Sequence, residues 1–114
     1  MTTIGIVGCG AVGQALLKAS ESGAMTLPIA GITSRTEGTA RAFLATLKNP
    51  PDYCSRDGLI ANADLMVEAA GGDVVPDLAR ATFEAGKDLM AISIGALLDH
   101  PEILEMAKER GCKL

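Results

Sequence analysis

Aromatic residues are almost missing from this chain of 114 residues, which has no Trp, one Tyr and two Phe. A core must then be built from Ala, Val, Ile and Leu, a composition that suits thin strands covered by closely packed helices. Histidine occurs once, at His100. It precedes Pro101 and reads as a cap of the last helix beside Asp99, so no catalytic residue is assigned. Cysteine is limited to Cys9, Cys54 and Cys112, an odd set without metal-type spacing. That excludes a disulfide framework and a cysteine metal site, and predicts three small buried apolar residues. Basic runs are also missing, and the formal net charge of −4 argues against a nucleic-acid partner. No segment resembles a signal peptide or a membrane span, so a cytoplasmic protein with no membrane partner is expected.

What is present is 48% hydrophobic and 21% charged residues, the balance of one ordinary globular domain over residues 1–114. Its 13 glycines mostly stand where an apolar run stops, which marks tight strand-to-helix turns. Ile4 to Val7 predicts a first strand, and Gly13 to Ser22 a helix with Ala15, Leu16 and Ala19 at helical spacing. Leu27 to Thr33 predicts a second strand. Ala40, Phe43, Leu44 and Leu47 then mark a helix closed by Asn49-Pro50-Pro51. Tyr53 and Cys54 suggest a short third strand, and Arg56 to Ala61 a brief helical turn. Asp64 to Ala70 is the next buried strand. Val75, Leu78, Ala79 and Thr82 line one side of a helix that takes Pro76 in its first turn and ends at Gly86. Leu89 to Ile94 is a further apolar strand. A last helix from Pro101 to Arg110 directs Ile103, Leu104 and Ala107 inward, and Cys112 to Leu114 opens one more strand. Strands that are apolar throughout, alternating with helices, predict a doubly wound parallel α/β sheet of Rossmann type in three layers.

Gly8-Cys9-Gly10-Ala11-Val12-Gly13 is a GxGxxG at the place its mechanism requires, after a strand and at the opening of a helix. Gly8 permits the turn, Gly10 lets a pyrophosphate approach the backbone, and Gly13 lets the helix pack on the strand. The amides of Ala11 and Val12 would face phosphate, assisted by the helix dipole. An acid that holds an adenosine ribose is expected about 20 residues further on. Thr33-Ser34-Arg35-Thr36 stands there in its place. Hydroxyls and a guanidinium suit a 2′-phosphate, so Ser34 and Arg35 favour NADP over NAD. Two later strand ends, Glu68-Ala69-Ala70-Gly71-Gly72 and Ser93-Ile94-Gly95-Ala96, point to the same crevice. Ala69, Ala70 and Gly71 would lie along the ribose and nicotinamide, and Ser93 could hydrogen-bond near them. Glu68 reads as a buried carboxylate or a turn cap, with no chemistry assigned.

The segments Asp64-Leu65-Met66-Val67-Glu68-Ala69-Ala70-Gly71-Gly72 and Ala85-Gly86-Lys87-Asp88-Leu89-Met90, with Ser93-Ile94-Gly95-Ala96-Leu97, resemble the N-terminal domain of the L-aspartate dehydrogenases. Ile32-Thr33-Ser34-Arg35 is similar too. The resemblance implies an NAD(P)-dependent oxidoreductase that interconverts L-aspartate and iminoaspartate, with its catalytic histidine in a downstream domain. Hydride transfer to an imino acid needs acid–base help, and no cluster of His, Lys and Arg here provides it. The expectation is therefore a cofactor-binding fragment that meets its amino-acid substrate only with a second domain. Two other readings stay open, a non-catalytic NAD(P)-sensing or dimerisation module and the cofactor domain of a homoserine dehydrogenase-like reductase. Homo-oligomerisation is compatible with the sequence but not specified by it.

Overall fold

The computed structural model describes residues 2–114. Four strands, β1 (Ile4–Val7), β2 (Ile29–Thr33), β3 (Leu65–Glu68) and β4 (Asp88–Ala91), form one sheet in the order β2-β1-β3-β4 with every pair parallel. Helices α1 (Ala11–Ser22), α2 (Glu37–Leu44), α3 (Arg56–Asn62), α4 (Val75–Glu84), α5 (Gly95–Asp99) and α6 (Glu102–Arg110) connect or follow them. Successive side chains of a strand point to opposite faces, and both faces of β1 and β3 are apolar. Ile4, Ile6, Ile32 and Val67 pack under α1 and α2 with Leu17, Ala40 and Leu44. Val7, Met66 and Leu89 pack on the other face with Leu59, Ile60, Val75, Leu78, Phe83 and Ile103 from α3, α4 and α6. This is the doubly wound, three-layered arrangement that the unbroken apolar strands imply.

Several local expectations are corrected. Helix α1 turns Gly13 and Leu17 inward and leaves Ala15 exposed, because the close approach of Gly13 to β1 sets its rotation. Helix α2 begins earlier than its apolar periodicity, at Glu37, and Leu47 lies beyond its end. The third strand reduces to a single parallel bridge between Tyr53 and Ile32, and α3 is capped by Ser55, whose hydroxyl accepts from the Gly58 amide at 3.1 Å. The run from Leu89 to Ile94 is a strand only as far as Ala91, and it is covered on the Leu89 side alone. Met90, Ile92 and Ile94 are exposed because β4 lies at the edge of the sheet, beyond the reach of α1. Leu104 faces outward on α6, and Cys112–Leu114 does not form a strand, although the Leu89 amide donates to the Lys113 carbonyl at 3.0 Å. His100 caps nothing with its ring; Nδ1 meets Glu102 Oε1 at 3.1 Å. Of the cysteines, Cys9 is buried while Cys54 and Cys112 are half-buried. Among the described residues no helix is long and apolar enough to cross a membrane.

Of the glycines, those in the turn from β1 into α1 leave the least room for a side chain. Gly8 has φ +109°, a conformation that disfavours a side chain, and a Cβ on Gly13 would lie 2.2 Å from the Gly8 carbonyl oxygen. Gly13→Ala should therefore force the helix away from the strand. Overpacking of this kind costs about 1–3 kcal/mol or more. The expected result is a loss of at least about 2 kcal/mol in urea unfolding at unchanged m-value. A variant as stable as the parent would show that the turn relaxes freely.

Candidate dinucleotide site

Parallel strands deliver their C-terminal ends to one edge of the sheet, and the chain order β2-β1-β3-β4 reverses direction between β1 and β3. Open α/β sheets bind ligands at such a switch point. A cleft of about 500 Å³ lies there, between the ends of β1, β2 and β3. Gly8, Gly10, Ser34, Arg35, Ala69 and Ala70 line it, with Cys9 and Thr36 from the same two segments, whereas Ala11, Val12, Gly13, Gly71 and Ser93 are not among its lining residues. Thr39, Arg56 and Val74 also line it and carry no signal of their own in the sequence.

The three fingerprint glycines separate by role. Gly8 and Gly13 are required by the backbone. Gly10 has φ −87° and ψ −155°, which any residue adopts, and a Cβ there would meet nothing within 4 Å. Folding does not demand a glycine at this position, so the open space beside it is what the fold presents to a ligand. Gly10 also opens α1, whose first turn contains no acidic residue and has no side-chain cap. Ala11 and Val12 are exposed in that turn. Their amides sit at the positive end of a twelve-residue helix with no carboxylate in its first turn to compete for them.

On the β2 side the loop after Thr33 is held by Tyr53, whose hydroxyl donates to the Ser34 carbonyl at 2.6 Å and accepts from the Ser34 amide at 3.2 Å. The Ser34 hydroxyl accepts from the Thr36 amide at 3.2 Å. Arg35 reaches across the mouth of the cleft to Asp73, Nη1 to Oδ2 at 2.7 Å, with both side chains about two-thirds exposed (66% and 65%). Arg56 adds a second guanidinium to the same end, lightly paired with Asp57 at 3.3 Å. The Tyr53 bridge to β2 carries Arg56 there. In the sequence the only hint was the weak Tyr53-Cys54 strand signal.

On the β3 side Ala69 and Ala70 face the cleft, whereas Gly71 and Ser93 stand behind them on the carboxylate of Glu68. Glu68 is completely buried. Its Oε2 accepts from the amides of Ala70 and Gly71, both at 2.8 Å, and from the Ser93 hydroxyl at 2.9 Å. Oε1 accepts from the amides of Ile92 at 3.1 Å and Ser93 at 2.9 Å. Burial by itself raises the pKa of this carboxyl. The donors from Gly71, Ser93 and Ala70 outweigh it, and Glu68 stays below the ordinary carboxylate value. A depressed folded pKa means that its contribution to stability is present above the unfolded value and is lost as pH falls through the folded one. Burial also pushes the Cys9 thiol up, which disfavours a reactive thiolate. Among the described residues no group of three or more His, Cys, Asp or Glu side chains gathers as a metal site would.

Residues 8–114 match the family model described as "Homoserine dehydrogenase, NAD binding domain". The L-aspartate dehydrogenase of Methanosarcina acetivorans is 34% identical over the whole chain, and that of Methanocella arvoryzae 35%; the chain spans 44% and 43% of their lengths. Among solved structures, a homoserine dehydrogenase from Thiobacillus denitrificans superposes with a TM-score of 0.81 at 19% identity, over 97% of this chain and 28% of that one. A UDP-N-acetylglucosamine 3-dehydrogenase from Acidithiobacillus ferrooxidans gives a TM-score of 0.81 at 19% identity, over 97% of this chain and 36% of that one. At such identities the superpositions show the fold alone. The chain belongs to the family of homoserine dehydrogenase-type NAD-binding domains, and it is similar along its whole length to the L-aspartate dehydrogenases.

Proposed function

We propose that residues 1–114 are the cofactor-binding part of an L-aspartate dehydrogenase, which holds NADP(H) in preference to NAD(H) for hydride exchange with an amino-acid substrate. The observation that carries this reading is Gly10, which the fold does not need and which leaves a cradle before the first amides of α1. There the pyrophosphate would lie against the amides of Ala11 and Val12. The adenosine would extend toward Ser34 and Arg35, and the nicotinamide toward Ala69 and Ala70. The dinucleotide supplies the hydride chemistry, and the protein supplies binding and orientation. No acid–base group in the described cleft suits an imino acid: His100 pairs with Glu102 and is not among the lining residues. The substrate-handling groups are accordingly assigned to a region outside these residues, in keeping with the greater length of the relatives. The family model's own description favours homoserine as the second candidate substrate.

Gly10→Val tests the cradle. A branched side chain would occupy the phosphate position but meets no protein atom, so the variant should unfold like the parent while NADPH and NADH affinities fall by about a hundredfold or more, roughly two phosphate hydrogen bonds. Unchanged titrations in the folded variant would reduce the fingerprint to a packing turn. The parent chain itself should bind dinucleotide yet show no aspartate-dependent change in NADPH absorbance. Steady turnover by these 114 residues alone would overturn the assignment of substrate groups elsewhere.

The preference for NADP rests on Arg35, which must exchange Asp73 for the 2′-phosphate. An exposed ion pair is worth about 0–1 kcal/mol, and a charge-assisted contact to phosphate about 1.5–3 kcal/mol. The phosphate therefore wins, by about 1–2 kcal/mol, or roughly tenfold in affinity. Arg35→Ala should weaken NADPH by about that factor and leave NADH almost unchanged. Asp73→Asn should strengthen NADPH slightly, by removing the competing anion. Calorimetric titration of both cofactors decides, and equal losses for the two in Arg35→Ala would mean that the guanidinium only stacks on the adenine.

A further inference from the structure

We propose that Glu68 is the positioning residue of the nicotinamide half of the cleft, because its single buried carboxylate ties the turn after β3 to the turn after β4 and so presets the backbone that faces the ligand. The inference rests on the dinucleotide reading above and adds a device to it. The two turns are far apart in the chain, with Ser93 25 residues beyond Glu68, and α4 lies between them. Besides the carboxylate, the turns are joined through the β3–β4 ladder that ends at Glu68 and Ala91, and by one hydrogen bond from the Ile92 amide to the Glu68 carbonyl at 3.2 Å.

The carboxylate is the described acceptor for the amides of Ala70, Gly71 and Ser93, and shares that of Ile92 with the Glu68 carbonyl. Met66, two residues earlier on the same face of β3, seals the interior with a thioether side chain. At Glu68 the same position in the pleat holds a charge with no exposure, a state tolerated only when hydrogen bonds offset the lost hydration. Five donors on two oxygens leave Glu68 no free valence for substrate, so it acts through the peptides that it orients.

Peptide groups are planar and trans throughout the described chain, so an amide turned toward Glu68 turns the carbonyl of the same peptide away from it. The amides of Ala70 and Gly71 face Glu68, and the carbonyls of Ala69 and Ala70 therefore face away. Both residues line the cleft. The Ala69 carbonyl packs against Gly8, and the Ala70 carbonyl is left as a fixed backbone acceptor for a ligand group that donates hydrogen bonds, such as a carboxamide. Without the carboxylate these peptides are free to rotate, and the ligand has to order them on binding.

Glu68→Gln tests the device. The substitution keeps the volume but sets an NH2 group against amide donors, so at least one turn is released. The 114-residue chain is titrated with NADPH, NADH and ADP, parent against variant. If the ordered form of the turns falls to roughly a tenth of the population, both dinucleotides weaken by about tenfold. ADP, which lacks the nicotinamide and its ribose, should change by less than about twofold on the same reasoning. Equal losses for ADP and the dinucleotides would show a merely structural carboxylate, and unchanged dinucleotide affinity would show no positioning; either overturns the proposal. A parent chain that binds none of the three overturns the dinucleotide reading, and this inference with it. Hydrogen exchange on the ligand-free parent gives a check that needs no folded variant. The amides of Ala70, Gly71, Ile92 and Ser93 should exchange slowly as one group, and exchange as fast as that of Gly72 and Asp73 would overturn the proposal.

Discussion

The approach of α1 to the end of β1 leaves no room for a side chain, and the cleft depends on that contact. With the Gly13 Cα set against the Gly8 carbonyl, the helix starts at the sheet edge and points its first amides over the strand ends. A helix begun further out would still form, but its dipole would face solvent and not the crevice between β1 and β3. The same contact sets the rotation of α1, which presents Leu17 to Ile4 and Ile6 and places Gly10 on the open side. Packing and ligand approach are thus two faces of one turn, divided between neighbouring glycines.

The two ends of the cleft are built by opposite means. The β2 end is polar, exposed and held by side chains on loops: the Tyr53 hydroxyl on Ser34, and Arg35, which crosses to Asp73 in the turn after β3. The β3 end is made of small residues backed by a buried carboxylate that takes up the amides of both adjoining turns. Exposed ion pairs exchange partners at little cost, while a buried, fully donated carboxylate does not. The first end suits selection among ligands, and the second suits holding one geometry.

Much of the fold could be read from the sequence, because buried parallel strands are written as unbroken apolar runs and the fingerprint places its glycines at fixed offsets. The limits were set by tertiary context. Ala15, Leu16 and Ala19 stand at helical spacing, but Gly13 decides the rotation of α1: Leu17 is fully buried, Leu16 packs at the margin of the core and Ala15 is exposed. Leu89 to Ile94 reads as buried on both sides, and only the finished sheet shows that its second face has no helix above it. Arg56 could be placed in the cleft only once the Tyr53 bridge was known. Glu68 reads as buried or capping from its sequence, but amides from a turn 25 residues away carry no signal in a local pattern.

The pairing of Arg35 with Asp73 means that this end of the cleft carries its own counter-ion. A bare guanidinium in water gathers mobile anions, and a phosphate that displaces them gains from their release to bulk solution. Here the displaced anion is covalently part of the chain and stays within a few ångströms, two-thirds exposed and readily rehydrated. Ligand binding then exchanges a tethered charge for a free one. Added salt weakens the pair in the empty cleft and the contact in the filled one alike. The ionic-strength dependence of any anion's association at this end is therefore buffered, where an unpartnered arginine would let it drift.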